Sequence, residues 1–167
     1  MPTPAEGPVR AACAVLLALV APWHAGSAHA DAPQSPDGFA GWPRTAVEIR
    51  TRAGRQWFNV TVADTEARRE QGLMFVRALA ADESMWFPQR PPRVMSMWMK
   101  NTVIPLDMLF VDRRGRIACI SARASPESLA LISCKTPVSG VLEIGGGEAE
   151  RRGIRPGDTV TIAGSPP

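Results

Sequence analysis

The chain has 167 residues, of which 45% are hydrophobic and 21% charged, proportions that are typical of one globular domain. Its net charge of +3 is too small to indicate binding of nucleic acid. Glycine and proline together number 30, which predicts short elements joined by turns, and no apolar run reaches the roughly 18 residues that a membrane-spanning helix needs.

Residues 1–30 have the pattern of an export signal. An arginine precedes an uncharged apolar run over residues 11–21, a proline follows that run, and Ala28 and Ala30 are the small residues that a signal peptidase reads. The run is too short to serve as an uncleaved membrane anchor. We therefore expect cleavage after Ala30, a periplasmic or secreted protein with no membrane span, and a disordered leader over residues 31–44.

Cleavage at this position would remove both histidines of the chain, His24 and His29. A mature protein without histidine excludes a Ser-His-Asp triad, a Cys-His pair and a zinc site with histidine ligands. Two cysteines remain, Cys119 and Cys134, and an oxidising compartment predicts one disulfide that closes a loop of about 16 residues. Two separate buried thiols are the alternative. The spacing is not that of a Cys-x-x-Cys redox pair, and no cofactor is predicted.

The first part of the predicted domain has the pattern of a hairpin and a short helix. Residues 45–63 place apolar residues two apart on both sides of an Ala-Gly turn, which predicts a β-hairpin. Asp64 or Thr65 is suited to cap a helix that runs to Gln71, and Gly72 is suited to end it.

Prolines dominate the next part of the chain. After a predicted loop over residues 73–83 and a short apolar run, three prolines between residues 88 and 92 are expected to prevent regular structure as far as Val94. Residues 94–100 then have the alternating pattern of a strand.

The rest of the chain alternates short strands with turns. The predicted elements are strands over 108–111, 116–122, 141–144 and 159–163, a turn at 112–115, a loop over 123–138 and a short helix over 148–152. With about seven strands and two short helices, the sequence predicts one α+β domain over residues 45–165. This domain is expected to be mostly β, with a compact barrel-like or strongly curved sheet.

Two charged residues mark the segment where chemistry is most plausible. Lys100 is one of only two lysines among 19 basic residues, which indicates that an ammonium group is needed there. Asp107 lies inside an apolar run and requires a partner, for which Lys100, Asn101 and Thr102 are the nearest candidates. Two interpretations stay open: a buried polar cluster that only holds the fold, and a polar cluster at the base of a ligand-binding cleft.

Met95, Met97 and Met99 alternate along the predicted strand and are expected to share one of its faces. Three thioethers in an exported protein are compatible with a copper(I) site, because soft ligands suit that ion. No other soft or imidazole ligand lies near them in the sequence, so we interpret the methionines as an apolar packing surface and predict no metal.

Four blocks of sequence carry a resemblance to a known family. They are Gly72-Leu73-Met74 with Arg77, then Trp98-Met99-Lys100-Asn101-Thr102 with Ile104-Pro105-Leu106-Asp107, then Val141-Leu142-Glu143, and finally Gly153-Ile154 with Pro156-Gly157-Asp158. Over residues 45–163 the chain resembles the family catalogued as domain of unknown function 192. The resemblance implies a small, compact, β-rich and often exported domain, and it implies no reaction. Its polar positions give the candidate ligand-binding residues Arg77, Lys100, Asn101, Asp107 and Glu143; catalytic residues stay unassigned.

Three functions are compatible with these observations. The favoured one is a periplasmic domain that binds a small polar ligand, a glycan, a peptide or another envelope component near Lys100, Asn101 and Asp107. The second is a hydrolase or lyase with Asp107 as base and Lys100 as electrostatic partner, which requires that both side chains be accessible to solvent. The third is a structural module of the cell envelope that has no pocket.

Overall fold

The computed structural model describes Met1 and residues 37–163. Contacts divide the chain into two units, residues 1–30 and residues 31–167, and only the second is described below. The predicted export signal therefore lies outside the described residues, apart from Met1. Part of the predicted leader lies within them: Asp37–Phe39 forms a 3₁₀ helix, Phe39 is buried, and Trp42 packs against it with 4.8 Å between ring centroids. This part is ordered because its aromatic rings join the apolar core.

The domain consists of nine strands and two short α-helices among the described residues. In chain order they are β1 (Arg44–Thr51), β2 (Gly54–Val62), α1 (Glu66–Gln71), β3 (Glu83–Arg93), β4 (Ser96–Met97), β5 (Leu106–Val111), β6 (Ile117–Ala124), β7 (Ile132–Ser133), β8 (Val138–Gly145), α2 (Glu148–Arg151) and β9 (Thr159–Ile162). The prediction of a mostly β domain with two short helices is confirmed.

Seven strands form one mixed sheet in the order β6-β5-β8-β3-β2-β1-β9, and β4 and β7 form a separate two-stranded sheet. All neighbours in the large sheet are antiparallel except β2 and β3, which are parallel and are connected through α1. The predicted barrel-like or strongly curved sheet is wrong. The two edge strands, β6 and β9, are not joined by a ladder. A single bridge, between Arg116 next to β6 and Thr159 of β9, is the isolated pairing between these two edges.

The predictions for the first hairpin and helix are confirmed. β1 and β2 pair along their whole length around the turn before Gly54. The Thr65 hydroxyl accepts a hydrogen bond of 3.3 Å from the Arg68 amide and so caps α1. Gly72 ends the helix with a positive φ of 47°, a conformation that glycine adopts without steric strain.

The expectation that prolines prevent regular structure up to Val94 is wrong, because β3 continues to Arg93. The strand pairs with β2 only as far as Trp86, and its register with β8 shifts between Pro88 and Arg93. The three prolines lie at and beyond this irregularity. Proline lacks an amide donor, so a strand tolerates it where ladder hydrogen bonds are interrupted.

The predicted strand over residues 94–100 and the predicted loop over residues 123–138 both need correction. Only Ser96–Met97 forms a strand, and its partner is β7, which lies within the predicted loop. The chain turns after Met97, and Asn101 takes a left-handed conformation with φ of 55° that ends the extended segment.

Both faces of the large sheet are covered. In β5, Met108 and Phe110 belong to one apolar cluster and Leu109 and Val111 to the other, as the two-residue period of a strand requires. The first cluster includes residues from the loops after α1 and around β4 and β7, whereas the second includes residues of α2 and β9. We call these faces the loop face and the α2 face. In the described part of the chain, no helix has the length and apolar character needed to cross a membrane.

Cys119 of β6 and Cys134, which follows β7, form the predicted disulfide, with 6.2 Å between their Cα atoms. It connects the large sheet to the segment that holds β4 in place. We expect reduction to lower the free energy of unfolding by roughly 3 kcal/mol, the chain-entropy value for a loop of this length. Urea unfolding with and without dithiothreitol measures this effect, and the Cys119→Ser/Cys134→Ser double variant should not respond to the reductant. An unchanged midpoint after verified reduction would contradict the prediction.

Candidate functional site

A cleft of about 300 Å³ opens on the loop face of the sheet. This volume lies at the lower end of the range for sites that bind small molecules. The cleft is formed by α1 and the turn after it, by the end of β3, by β4 and the turn after it, and by one residue of β8. The residues that line it are Glu66, Arg69, Glu70, Gln71, Gly72, Leu73, Met74, Phe87, Arg93, Met95, Ser96, Met97, Trp98, Lys100, Thr102 and Glu143.

Glu143 is the buried carboxyl group of the cleft. Its register partner in β5 is Met108, which places its side chain on the loop face, and only 4% of the residue is exposed. No described residue forms a hydrogen bond or ion pair with this carboxyl group. Burial alone raises the pKa of Glu143 to about 8. At neutral pH the group is therefore mostly protonated, and it can both donate and accept a hydrogen bond.

The walls of the cleft are apolar and its rim is charged. Leu73, Phe87 and Met95 are buried wall residues. Exposed cationic side chains at the rim come from α1, β3 and the turn after β4, and two glutamates of α1 accompany them. Lys100 is one of these exposed cations, with its Nζ atom 5.2 Å from the centroid of the Trp98 ring. The cleft thus combines an apolar interior, one neutral carboxyl group and rim charges of both signs.

Asp107 lies on the opposite face of the sheet. Its register partner is Ile144, which belongs to the α2 face, and its side chain is fully buried. The carboxylate accepts three backbone hydrogen bonds, from Arg123 at 2.7 Å, Gly147 at 2.9 Å and Ala149 at 2.8 Å. None of the predicted partners Lys100, Asn101 and Thr102 is among these donors. The donors lie 16 to 42 residues from Asp107 in the sequence.

This geometry bears on the enzyme hypothesis. A base must be able to reach a substrate, and Asp107 has no exposed surface. Lys100, its proposed electrostatic partner, is exposed at the rim of a cleft on the other face. The requirement that both side chains be accessible is therefore not met, and Asp107 serves to anchor the segment that begins α2.

The remaining predicted residues, Asn101 and Arg77, do not line the cleft. Asn101 donates from its Nδ2 atom to the sulfur of Met74 at 3.7 Å, and its carbonyl oxygen accepts a hydrogen bond from the Phe75 amide at 2.8 Å. Its role is to join the turn after β4 to the turn after α1. Arg77 is exposed in the segment that follows this turn. Of the five candidate residues, the cleft brings together Lys100 and Glu143.

The three alternating methionines do not lie along one strand, because only Met97 belongs to β4, but all three pack in or against the loop-face cluster. Met95 and Met97 line the cleft, whereas Met99 is fully buried in the core because the chain has turned after β4. Within residues 37–163, no group of three or more His, Cys, Asp or Glu side chains is arranged to hold a metal ion.

Sequence reasoning missed most of the residues that line the cleft. Arg69 and Met74 come from α1 and its following turn, and Arg93 comes from the proline-rich half of β3. A signal for Glu143 was present in the sequence, since it is a single acid in a strand whose neighbours Val141, Leu142 and Ile144 are all apolar. Nothing local in the sequence indicates that α1 and the end of β3 enclose it.

Fold and cleft together define a small domain with a mixed seven-stranded sheet and a cleft large enough for a small molecule. Residues 47–162 match domain of unknown function 192, described as "Uncharacterized ACR", and the chain belongs to this family. The resemblance of the sequence motifs is thereby confirmed.

The solved structures that are similar to this chain include two crystal structures. One is a protein of Sinorhizobium meliloti described as a candidate transcription regulator, with 40% identity, a TM-score of 0.72, and coverage of 74% of this chain and 97% of that one. The other is a protein of unknown function from Novosphingobium aromaticivorans, with 40% identity, a TM-score of 0.72, and coverage of 79% and 94%. No curated protein matches the chain.

Proposed function

We propose that this protein is an exported domain that binds a small molecule in the cleft on the loop face, through a hydrogen bond to Glu143. The single observation that carries the proposal is the nearly buried carboxyl group of Glu143, which lines the cleft and has no hydrogen-bond or ion-pair partner among the described residues. Export is supported by the N-terminal sequence pattern and by the disulfide between Cys119 and Cys134.

The two buried acids of the sheet make a useful comparison. Asp107 is satisfied by three backbone amides, so the fold itself compensates for its burial. Glu143 receives no such compensation from the described residues, although only 4% of the residue is exposed. A bound molecule would supply a hydrogen-bond partner. The fold therefore retains a nearly buried acid at the place where a ligand can reach it, which is typical of a binding site.

The lining of the cleft indicates the kind of molecule. A neutral carboxyl group pairs well with an amide, a hydroxyl or a carbonyl group, as found in peptides and glycans, and it pairs poorly with an anion at the same depth. The apolar walls favour a ligand that also carries an apolar part. Rim cations such as Lys100 and Arg93 can contact polar groups that remain near solvent.

A direct test is a screen of short peptides, glycans and small amides by ¹H–¹⁵N NMR of the purified protein. We expect the best ligand to shift amide signals around β4 and near Glu143. Glu143→Leu should weaken its binding by roughly tenfold, because one hydrogen bond to the ligand is lost. Glu143→Gln should retain most of the affinity, because an amide side chain also donates and accepts.

Glu150→Gln is the matched control, since Glu150 is exposed and forms an ion pair with Arg123 instead of lining the cleft. The Glu150→Gln variant should bind the best ligand with the same affinity as the wild type. The proposal is abandoned if no compound shifts signals at the cleft, or if the best ligand binds Glu143→Leu as tightly as the wild type.

A further inference from the structure

Large apolar side chains are exposed mainly in one region. Among residues 37–163, seven large apolar side chains are exposed, and five of them lie in the segments 75–77, 98–103 and 127–135, with exposures between 43% and 72%. These five are Phe75, Trp98, Val103, Leu129 and Leu131. Single exposed apolar residues are common on protein surfaces, whereas a concentration of this kind marks a surface that contacts a protein or a membrane.

The three segments lie side by side. Backbone hydrogen bonds join them: Phe75 donates to Asn101 at 2.8 Å, Met99 to Ser128 at 3.0 Å, and Glu127 to Thr102 at 3.0 Å. In addition, β4, which directly precedes Trp98, pairs with β7, which directly follows Leu131. The five exposed apolar residues therefore lie on three adjoining segments, and we call the exposed surface of these segments the apolar loop surface.

The same segments carry an excess of positive charge. They contain the exposed cations Arg77, Lys100 and Lys135 and a single acid, Glu127. None of the three cations forms a salt bridge with a residue in the described part of the chain. The two lysines are the only lysines of the protein. Long cationic side chains next to exposed apolar residues can reach phosphate groups while the apolar residues enter the acyl region.

We propose that the apolar loop surface docks on an anionic lipid membrane. Three apolar-rich segments with an indole ring and flanking cations match the depth profile of a bilayer surface, where tryptophan prefers the interface and cations the headgroups. Association of two copies through this surface would bring six cations together, which opposes a symmetric dimer. The charge of the surface therefore favours an anionic lipid over a second copy of the chain.

The membrane contact would also orient the cleft. Trp98 and Lys100 belong to both the apolar loop surface and the rim of the cleft. A docked protein would therefore open its cleft close to the headgroup region. The docking proposal does not rest on any ligand in the cleft, because its observations concern exposed residues and their charge.

The test is co-sedimentation of the purified protein with vesicles of phosphatidylglycerol mixed with phosphatidylcholine, compared with vesicles of phosphatidylcholine alone. We expect binding to the anionic vesicles only, and we expect it to weaken as salt is added. The Leu129→Ser/Leu131→Ser variant should bind roughly tenfold more weakly because two apolar side chains no longer enter the membrane. Lys100→Gln should bind about fivefold more weakly, the expected effect of one lost cation.

Trp57→Ser is the matched control, because Trp57 is also an exposed tryptophan but lies on β2, outside the three segments. It should bind like the wild type. Equal binding to both kinds of vesicle, or full binding by the leucine variant, would overturn the proposal. A dimer in sedimentation equilibrium that the leucine variant dissociates would overturn it in favour of self-association. If the leucine variant does not fold, the Lys100→Gln/Lys135→Gln double variant takes its place. Binding of this variant to the anionic vesicles as tightly as the wild type would overturn the proposal.

Discussion

Replacement of Asp107 by alanine is expected to lower the free energy of unfolding by about 3 kcal/mol or more. The carboxylate holds three backbone amides, from Arg123, Gly147 and Ala149, and it is fully buried. Removal of the acceptor leaves these donors without a partner at a place that water reaches poorly. Urea unfolding followed by circular dichroism measures the loss.

Asp112 provides the matched control for this prediction. It also accepts backbone hydrogen bonds, from Arg114 at 2.8 Å and Arg116 at 2.9 Å, but it lies in a turn with partial exposure to solvent. Asp112→Ala should cost about 1 kcal/mol, because water can replace the lost acceptor. Equal losses for the two variants would show that burial at Asp107 adds nothing, and the anchoring role assigned to it would have to be given up.

Glu143 should make the stability of the protein fall as pH rises. Its pKa is about 8 in the folded state, against an ordinary value of 4.5. Below about pH 4.5 both states hold the proton, and between about pH 4.5 and 8 the folded state holds a proton that the unfolded state has lost. Stability is therefore lost progressively across this window, by on the order of 5 kcal/mol in total, and the loss is complete above about pH 8.

Comparison with Glu143→Gln isolates this effect from all other titrations. The amide side chain has nearly the same shape and carries no charge at any pH, so the variant should gain stability relative to the wild type as pH rises from about 5 to about 9. Glu150→Gln, at an exposed site, should differ from the wild type by no more than about 0.5 kcal/mol throughout. A constant difference between Glu143→Gln and the wild type would mean that the carboxyl group is solvated in the folded protein.

Local sequence signals predicted local structure well. The first hairpin depends on alternating apolar residues around a turn, and α1 depends on a threonine cap and a terminal glycine, all of which act between residues close in sequence. The strands β5, β6, β8 and β9 and the helix α2 were also predicted at nearly their observed positions for this reason. Their order in the sheet was not predicted, because pairing depends on contacts between distant segments.

The candidate site shows the same limit. Lys100 and Glu143 were named as candidates, and both line the cleft. Asp107 was assigned to the same site because it follows Lys100 closely in the sequence. Strand alternation and the chain turn at Asn101 place it on the other face, where its partners come from much later in the chain. Proximity in sequence is a poor guide to the partner of a buried charge when the intervening chain changes direction.

The proline-rich half of β3 has a consequence for solubility during folding. Beyond Trp86 this strand has no ladder with β2, and residues 90–93 are exposed. An open strand of this kind would normally offer amide donors to another chain and promote aggregation through intermolecular sheets. Pro91 and Pro92 have no such donors, and the Gln89 side chain covers the carbonyl oxygen of Pro91 with a hydrogen bond of 3.0 Å. The residues that make this segment irregular thus protect the domain from strand exchange while it folds.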